Sequence, residues 1–228
     1  MNPQSIVVQQ APVPAQQLIL LLHGYGANAD DLVLPGRRLA SAFPAATVVS
    51  VAGPEPMGYP GGLQWFAVDG VDDANRVVRV AAAMPGFLDV IRGWQQHCGV
   101  AVERTALVGF SQGAIMALES CVGPNPPAGR VVAIAGRFAR LPAAVPASVT
   151  FHLLHGKADP VMPYRHSVEA AQHLLALGVD VTADIEPFVG HEINEDIVRL
   201  ALQRLTTHVP QRLWDEAMRA AAAEGIPK

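Results

Sequence analysis

Short runs of apolar and β-branched residues alternate along this chain with longer segments in which apolar residues recur every three or four positions. Runs of the first kind predict buried strands, and segments of the second kind predict amphipathic helices. Because the strand runs are almost continuously apolar, we expect helices on both faces of a mostly parallel sheet, which is an α/β fold. The predicted strands cover 18–22, 46–51, 105–110, 130–136, 150–156 and 180–186, and residues 1–16 are expected to form an N-terminal strand or extension.

The clearest helical period lies between residues 72 and 98, where Asp72 or Asp73 can act as the N-cap. Pro85 is expected to kink or divide this helix, because proline has no amide hydrogen to donate within it. Further helices are predicted near 29–42, 111–122, 166–177, 192–207 and 210–223. Residues 210–228 then form a C-terminal helix and tail, with Gly225 and Pro227 ending the helix.

The length of the chain indicates how many domains it forms, and its charge indicates which partners are not expected. With 228 residues, the chain is long enough to bury a substantial core, and a single domain covering 1–228 is expected. The formal net charge of -4 and the pI near 6.0 provide no basic field that would neutralise phosphate groups. We therefore expect neither nucleic acid nor a membrane surface as a partner.

The N-terminal stretch, the lengths of the apolar runs and the cysteines together predict a cellular compartment. The N-terminal stretch MNPQSIVVQQAPVPAQQ lacks the basic start and the continuous apolar core of a signal peptide. The longest strongly apolar run, LILLL at 18–22, is far shorter than a membrane span. Cys98 and Cys121 lie in no CxxC or Cys/His ligand spacing, so reduced core thiols are expected rather than a disulfide. These features together predict a soluble cytoplasmic protein.

The segment ALVGFSQGAIMALES, residues 106–120, places Ser111 between a predicted strand and a predicted helix, on the pattern Gly-Phe-Ser-Gln-Gly. A sharp strand–turn–helix bend pushes such a serine above the sheet, and the flanking glycines relieve clashes with neighbouring elements. The same bend aims the backbone N–H of Gln112 at the position where an oxyanion would form, near the positive end of a helix. The alternative is a merely tight turn, because the pattern specifies only three residues.

A serine nucleophile needs a base and a group that orients the base. His191 lies beside Gly190 in the loop after strand 180–186, and Asp159 directly follows strand 150–156. Parallel strands end at one edge of a sheet, so both side chains are expected near Ser111, in the chain order of an α/β-hydrolase. A solvated loop histidine and a turn-forming aspartate are the alternatives. His97, His173 and His208 lie in or beside predicted helices and are expected on the surface or in packing.

The loop after strand 18–22, HGYGANADD, offers a second donor for an oxyanion. Gly24 and Gly26 allow a close approach of the backbone and leave the N–H of Tyr25 free to face a substrate oxygen. His23 is expected to be structural and to hold this turn through backbone hydrogen bonds.

The sequence resembles the phospholipase/carboxylesterase family of α/β-hydrolases, which includes small bacterial carboxylesterases and acyl-protein thioesterases. Five segments carry the resemblance, in order and over nearly the whole chain: LLHGYGAN, QWF at 64–66, GFSQGAIMAL, HGKADPVMP and GHEI. The short bacterial esterase branch of the family is the most similar. The resemblance implies a serine ester hydrolase without a cofactor, with Ser111, Asp159 and His191 as its triad and Tyr25 and Gln112 as oxyanion donors. In the thioesterase branch an aspartate follows the Trp-Phe pair, whereas Ala67 follows it here, which favours small esters as substrates.

Loop 52–67 is rich in glycine and proline and ends in Trp65 and Phe66. These two side chains are expected to wall an apolar acyl pocket, with Met162 of the Asp159 loop opposite; ordinary core residues beneath the loop are the alternative. His152 and His155 predict no metal site, because residues three apart in a strand face opposite sides.

Two classes of function follow from these residues. The first is a carboxylesterase acting on small-molecule esters of short to medium acyl chain, with thioester hydrolysis as its runner-up. The second is a non-catalytic scaffold of the same fold that binds a small molecule or a protein. A binding-only relative would be expected to lack one of the site residues, and none is missing here. The sequence leaves monomer and homodimer open.

Overall fold

The computed structural model describes residues 4–223. Along that range nine strands alternate with six α-helices, and two short 3-10 helices lie at Asp30–Leu32 and Val102–Arg104. The strands are β1 Ile6–Gln9, β2 Gln17–Leu22, β3 Ala46–Val51, β4 Glu55–Pro56, β5 Leu63–Gln64, β6 Thr105–Phe110, β7 Arg130–Ile134, β8 Thr150–Gly156 and β9 Val181–Glu186. The helices are α1 Val33–Ala42, α2 Asp73–Cys98, α3 Gln112–Ser120, α4 Arg165–Ala176, α5 Glu195–Thr207 and α6 Gln211–Ala223.

Seven of the strands form one sheet in the order β1-β3-β2-β6-β7-β8-β9. β1 runs antiparallel to β3, and every other neighbouring pair is parallel. The carboxyl ends of β2, β6, β8 and β9 therefore lie at one edge, where the loops that follow them meet. In open sheets of this kind, ligands bind outside the carboxyl ends of the strands.

Both faces of this sheet are covered, as the continuous apolar runs predicted. In β2, Leu18, Leu20 and Leu22 belong to one buried cluster, whereas Ile19 and Leu21 belong to a second cluster on the opposite face. The first cluster includes side chains of α2, α3 and α4, and the second includes side chains of α1 and α5. The predicted fold class, a mostly parallel sheet with helices on both faces, is confirmed.

The structure corrects two predictions about local structure. Pro85 was expected to kink or divide α2, but the helix continues through it to Cys98, so Pro85 does not divide the helix. Asp72 is the N-cap of α2 and forms a capping box with Asn75. Loop 52–67 contains the two-residue strands β4 and β5, which pair as a short hairpin, where an irregular loop was expected. The segment 1–16, predicted as a strand or extension, contains β1, whereas residues 1–3 of that prediction lie outside the described residues, as do Gly225 and Pro227.

Cys98 and Cys121 are both buried and free, as expected of core thiols. Burial raises the pKa of the Cys121 thiol to about 12, which keeps it protonated at neutral pH. Between residues 4 and 223, no helix combines the length and the apolarity that crossing a bilayer requires.

Candidate active site

Ser111 lies at the tip of the turn between β6 and α3, where it is the N-cap of the helix. Its φ of 51° and ψ of -112° place it in a region that non-glycine residues rarely adopt. The turn leaves no room for side chains on either side: a Cβ on Gly109 would lie 2.5 Å from the Gly113 carbonyl oxygen, and one on Gly113 would overlap the Leu22 carbonyl. The two glycines therefore let β2, β6 and α3 approach closely while the turn presents Ser111 above the sheet.

Ser111, His191 and Asp159 form one chain of hydrogen bonds. His191 Nε2 lies 3.0 Å from Ser111 Oγ, and His191 Nδ1 lies 2.7 Å from Asp159 Oδ2. In the tautomer that this pairing requires, Nδ1–H donates to the carboxylate and Nε2 accepts from the serine hydroxyl. The three residues come from the ends of β6, β8 and β9, so the structure brings together the side chains that the sequence selected.

Asp159 is held on both of its oxygens. Oδ1 accepts from the backbone N–H groups of Val161 and Met162, each at 2.8 Å. Burial alone would raise the pKa of Asp159, but the hydrogen bonds from Met162, His191 and Val161 outweigh it, and the pKa lies below its ordinary value. The carboxylate is therefore charged near neutral pH and able to orient the imidazole of His191.

A second histidine, His155, lies beneath Asp159 and was not assigned a role from the sequence. Its side chain is fully buried, Nε2 is 2.8 Å from the Met162 carbonyl oxygen and 3.3 Å from Asp159 Oδ2, and Ser167 Oγ lies 2.7 Å from Nδ1. Burial lowers the pKa of His155, so the ring is neutral and its Nε2–H donates toward the loop that carries Asp159. Only the adjacency of β8 to that loop could have signalled this contact.

The residues predicted as oxyanion donors lie close to Ser111 in the structure: Gln112 follows it directly, and a Cβ on Gly24, the residue before Tyr25, would lie 3.3 Å from Ser111 Cβ. Gln112 is the first residue of α3, so its backbone N–H has no partner within the helix. Tyr25 lies in the loop after β2, and its N–H donates no hydrogen bond to any of residues 4–223. That loop is fixed by Gly26, whose N–H donates to the Leu63 carbonyl at 2.9 Å.

His23 holds the base of the Tyr25 loop, as expected. Its Nδ1 lies 2.7 Å from the Gly24 carbonyl oxygen, and its Nε2 accepts from the Gly53 N–H at 2.8 Å. Both contacts fit a neutral ring, and burial lowers the pKa of His23. A role in proton transfer is incompatible with these contacts, because both ring nitrogens are occupied by backbone.

Trp65 and Phe66 are 2% and 4% exposed and belong to the large buried cluster, and Trp65 also lines a cavity beside α2. Hydrogen bonds explain their placement. The Trp65 indole N–H donates to the His23 carbonyl at 2.9 Å, and the Gln112 side chain joins the Trp65 N–H at 2.8 Å to the Phe66 carbonyl at 2.6 Å. The Gln112 side chain thus ties the serine turn to loop 52–67, a role that the sequence did not reveal.

Two recesses are lined by elements of the site, one by the loop that ends in Trp65 and the other by the loop that carries His191. A cavity of about 260 Å³ is lined by Trp65, Phe87 and Met116 and by the exposed small residues Ala82 and Gly86 of α2. Met162 is partly buried and packs against the apolar cluster that contains Trp65 and Phe66. A groove of about 550 Å³ lies between α1 and the loop before α5, with His191 in its wall.

The described residues contain no group of three His, Cys, Asp or Glu side chains that could hold a metal ion. His152 and His155 each bind their own hydroxyl partner, Thr182 for His152 and Ser167 for His155. Their separation agrees with the alternation of side chains along β8.

Comparisons with known proteins extend over most of the chain. A family model described as Phospholipase/Carboxylesterase matches residues 3–209. Esterase YpfH of Escherichia coli (strain K12) is 45% identical over 218 residues, which cover 96% of this chain and 94% of that protein. The solved structure of esterase PE8 is similar with a TM-score of 0.75 and 29% identity, covering 88% of this chain and 95% of that one. A carboxylesterase of Bacillus cereus shares the fold, with a TM-score of 0.72 and 20% identity over 87% of this chain and 91% of that one.

Proposed function

Because this chain belongs to the phospholipase/carboxylesterase family of α/β-hydrolases, we propose that it is a serine hydrolase that cleaves carboxylic esters of small molecules. The observation that carries the proposal is the hydrogen-bonded chain from Ser111 through His191 to Asp159, with distances of 3.0 and 2.7 Å. A non-catalytic scaffold would have no need of a serine held at positive φ against a histidine.

The first half of the reaction forms an acyl-enzyme. Ser111 Oγ attacks the carbonyl carbon of the ester while its proton passes to His191 Nε2, and the carbonyl oxygen becomes an oxyanion. The N–H groups of Tyr25 and Gln112 donate to that oxyanion. The C–O bond of the ester then breaks, and His191 returns the proton to the leaving alcohol.

Water completes the second half by the same steps. His191 takes a proton from water as the oxygen attacks the acyl carbon, and the bond to Ser111 Oγ breaks as the serine recovers its proton. Asp159 stays charged throughout and stabilises the imidazolium that forms in each half. All proton transfers are accounted for by one histidine, without a cofactor.

We assign the acyl chain to the side of the site that holds Trp65. Its cavity of about 260 Å³ has a mostly apolar lining, and Met116 on α3 connects it to the helix that begins at Ser111. Met162 packs on the same buried cluster but is not among the residues that line this cavity. A recess of this size suits short to medium acyl chains.

The test of the proposal is covalent labelling of Ser111. A fluorophosphonate should add one label to the wild-type protein and none to Ser111→Ala, and hydrolysis of p-nitrophenyl butyrate should fall by several orders of magnitude in that variant. Ser120→Ala, which removes another buried serine of α3, is the matched control and should keep labelling and turnover. Intact-mass spectrometry and initial rates provide the readouts, and a label retained in Ser111→Ala would disprove the proposal.

A further inference from the structure

The groove of about 550 Å³ beside His191 has an apolar floor and a charged rim. Its apolar lining includes Leu34 and Pro35 of α1 together with Phe110 and Ile193, and the loop that carries Tyr25 contributes Gly24 and Ala27. The Phe110 ring lies 4.9 Å from the His191 ring, so the apolar floor continues directly to the imidazole. The groove therefore adjoins both the proposed general base and the proposed oxyanion loop.

Proton transfer decides which part of an ester occupies this groove. The nitrogen that takes the Ser111 proton, His191 Nε2, must later be within hydrogen-bond reach of the leaving oxygen. The alcohol attached to that oxygen must then extend past the imidazole, where the groove begins. The acyl group takes the opposite direction, toward the cavity behind Trp65.

The rim of the groove is acidic. Its lining contains the carboxylates of Asp31, Glu192 and Glu195 and one guanidinium, that of Arg38, so three negative charges and one positive charge give a formal charge of -2. Arg38 is already paired with Glu195 at 2.7 Å. The pair leaves Asp31 and Glu192 as the charges that an occupant of the groove experiences, and Glu192 directly follows His191 in the chain.

We propose that this groove binds the alcohol part of the substrate and selects neutral and cationic alcohols over anionic ones. The inference rests on the proposed esterase function and adds a charge preference to it. An anionic leaving group would bring its charge beside the carboxylates of Asp31 and Glu192, whereas a cationic one would be attracted to them. The coenzyme A part of an acyl-coenzyme A carries several phosphate charges, so we accordingly expect acyl-coenzyme A to be a poor substrate of this enzyme.

A matched series of butyrate esters tests the preference. Choline, 3,3-dimethylbutanol and isethionate are alcohols in which two carbons join the hydroxyl group to a tetrahedral end group. The charge of that end group is plus one, zero or minus one, respectively. At low ionic strength kcat/KM should decrease in that order, by about threefold for each step, since the charges are exposed to solvent. In 1 M salt the differences should nearly vanish, because the Debye length falls to about 3 Å.

Variants of Glu192 connect the preference to this groove. The ratio of kcat/KM for the isethionate ester to that for the dimethylbutyl ester should rise about threefold in Glu192→Gln and about tenfold in Glu192→Lys. Glu169→Lys makes the same charge change on α4, at an exposed position outside the groove, and should leave the ratio as in the wild type.

The outcomes separate this inference from the proposed function. If the dimethylbutyl ester is hydrolysed and Ser111 is labelled, but the ratio stays constant in both Glu192 variants, the groove does not hold the alcohol. An equal rise in Glu169→Lys would likewise overturn the inference, since the effect would then come from net charge. If p-nitrophenyl butyrate is hydrolysed but none of the three esters is, the groove does not accept these alcohols and the inference is overturned. Failure to hydrolyse p-nitrophenyl butyrate, with no label on Ser111, would instead remove the proposed function and this inference with it.

Discussion

The chemistry of the site depends on which oxygen of Asp159 faces which donor. The backbone N–H groups of Val161 and Met162 occupy Oδ1, so Oδ2 alone remains for His191, and His155 lies on that same oxygen. This arrangement selects the tautomer of His191 that carries its proton on Nδ1 and can accept from Ser111 on Nε2.

We predict that Asp159→Asn retains the fold and loses about 10⁴-fold in turnover. The two backbone donors require an oxygen at the position of Oδ1, so the amide NH₂ must face His191. His191 then accepts on Nδ1, carries its proton on Nε2 and cannot act as a base toward Ser111. Circular dichroism and the rate of p-nitrophenyl butyrate hydrolysis provide the measurement.

Asp69→Asn is the matched control for that change, because Asp69 is an exposed aspartate in the loop after Phe66. It should retain wild-type turnover. Wild-type activity in Asp159→Asn would assign the orienting role to a different group.

At the scale of elements, α2 and loop 52–67 together form the recess assigned to the acyl chain. α2 contributes Ala82, Gly86 and Phe87, and the loop contributes Trp65. The open space depends on small residues at exposed positions of the helix, because a Cβ on Gly86 would have no atom within 4 Å. Trp65 is less suitable for a test, since its indole also holds the His23 carbonyl at the base of the Tyr25 loop.

We predict that Gly86→Leu shifts the preferred acyl chain of p-nitrophenyl esters to a shorter length. The leucine side chain would occupy part of the cavity, and each methylene excluded from it costs up to ~0.8 kcal/mol, about fourfold in kcat/KM. The wild-type kcat/KM should rise over the first few carbons and then level, and the variant should level earlier. The measurement is kcat/KM from acetate to decanoate.

Gly123→Leu is the corresponding control, because a Cβ at Gly123 also meets no atom within 4 Å but lies outside this recess. It should reproduce the wild-type chain-length profile. Identical profiles for wild type and Gly86→Leu would show that the acyl chain lies elsewhere.

At the scale of the whole molecule, a buried histidine in β8 links stability to pH. His152 is fully buried, and burial lowers its pKa from 6.5 to about 3. The unfolded chain therefore binds a proton at this residue below about pH 6.5, while the folded protein does not until about pH 3. Since the unfolded state binds more protons in that window, stability decreases as the pH falls through it.

We predict that the wild-type protein loses about 1 kcal/mol more free energy of unfolding than His152→Leu when the pH changes from 7.0 to 5.5. The buried histidines His23 and His155 titrate in both proteins, so their contributions cancel in the comparison. Urea denaturation at both pH values gives the two differences.

His97→Gln, which removes an exposed histidine, serves as the control and should show the pH dependence of the wild type. An equal loss of stability in wild type and His152→Leu would mean that His152 is protonated in the folded protein.

The sequence by itself determined the order of the elements and the identity of the main candidate residues. Continuous apolar runs can be buried only in a sheet covered on both faces, and the parallel strands that follow from this end at one edge. Ser111, Asp159 and His191 each follow such a strand, so their convergence could be inferred from their positions alone. Gly109 and Gly113 around the serine gave a local signal for the turn, which depends on only a few neighbouring residues.

Tertiary structure alone decided which side chains hold the site and where substrate can lie. The Gln112 side chain binds Trp65 and Phe66, which lie 47 and 46 residues away in the chain, and no local pattern encodes such a contact. His155 is only four residues from Asp159, but the fold of the loop after β8 decides that the two side chains meet. The groove beside His191 is likewise formed by α1 and the loop before α5, which meet only when both pack on the same face of the sheet. The burial of Trp65 and Phe66 was also decided by tertiary structure. Their residue types fit a pocket wall or a core equally well, and their exposure depends on the elements that fold over them.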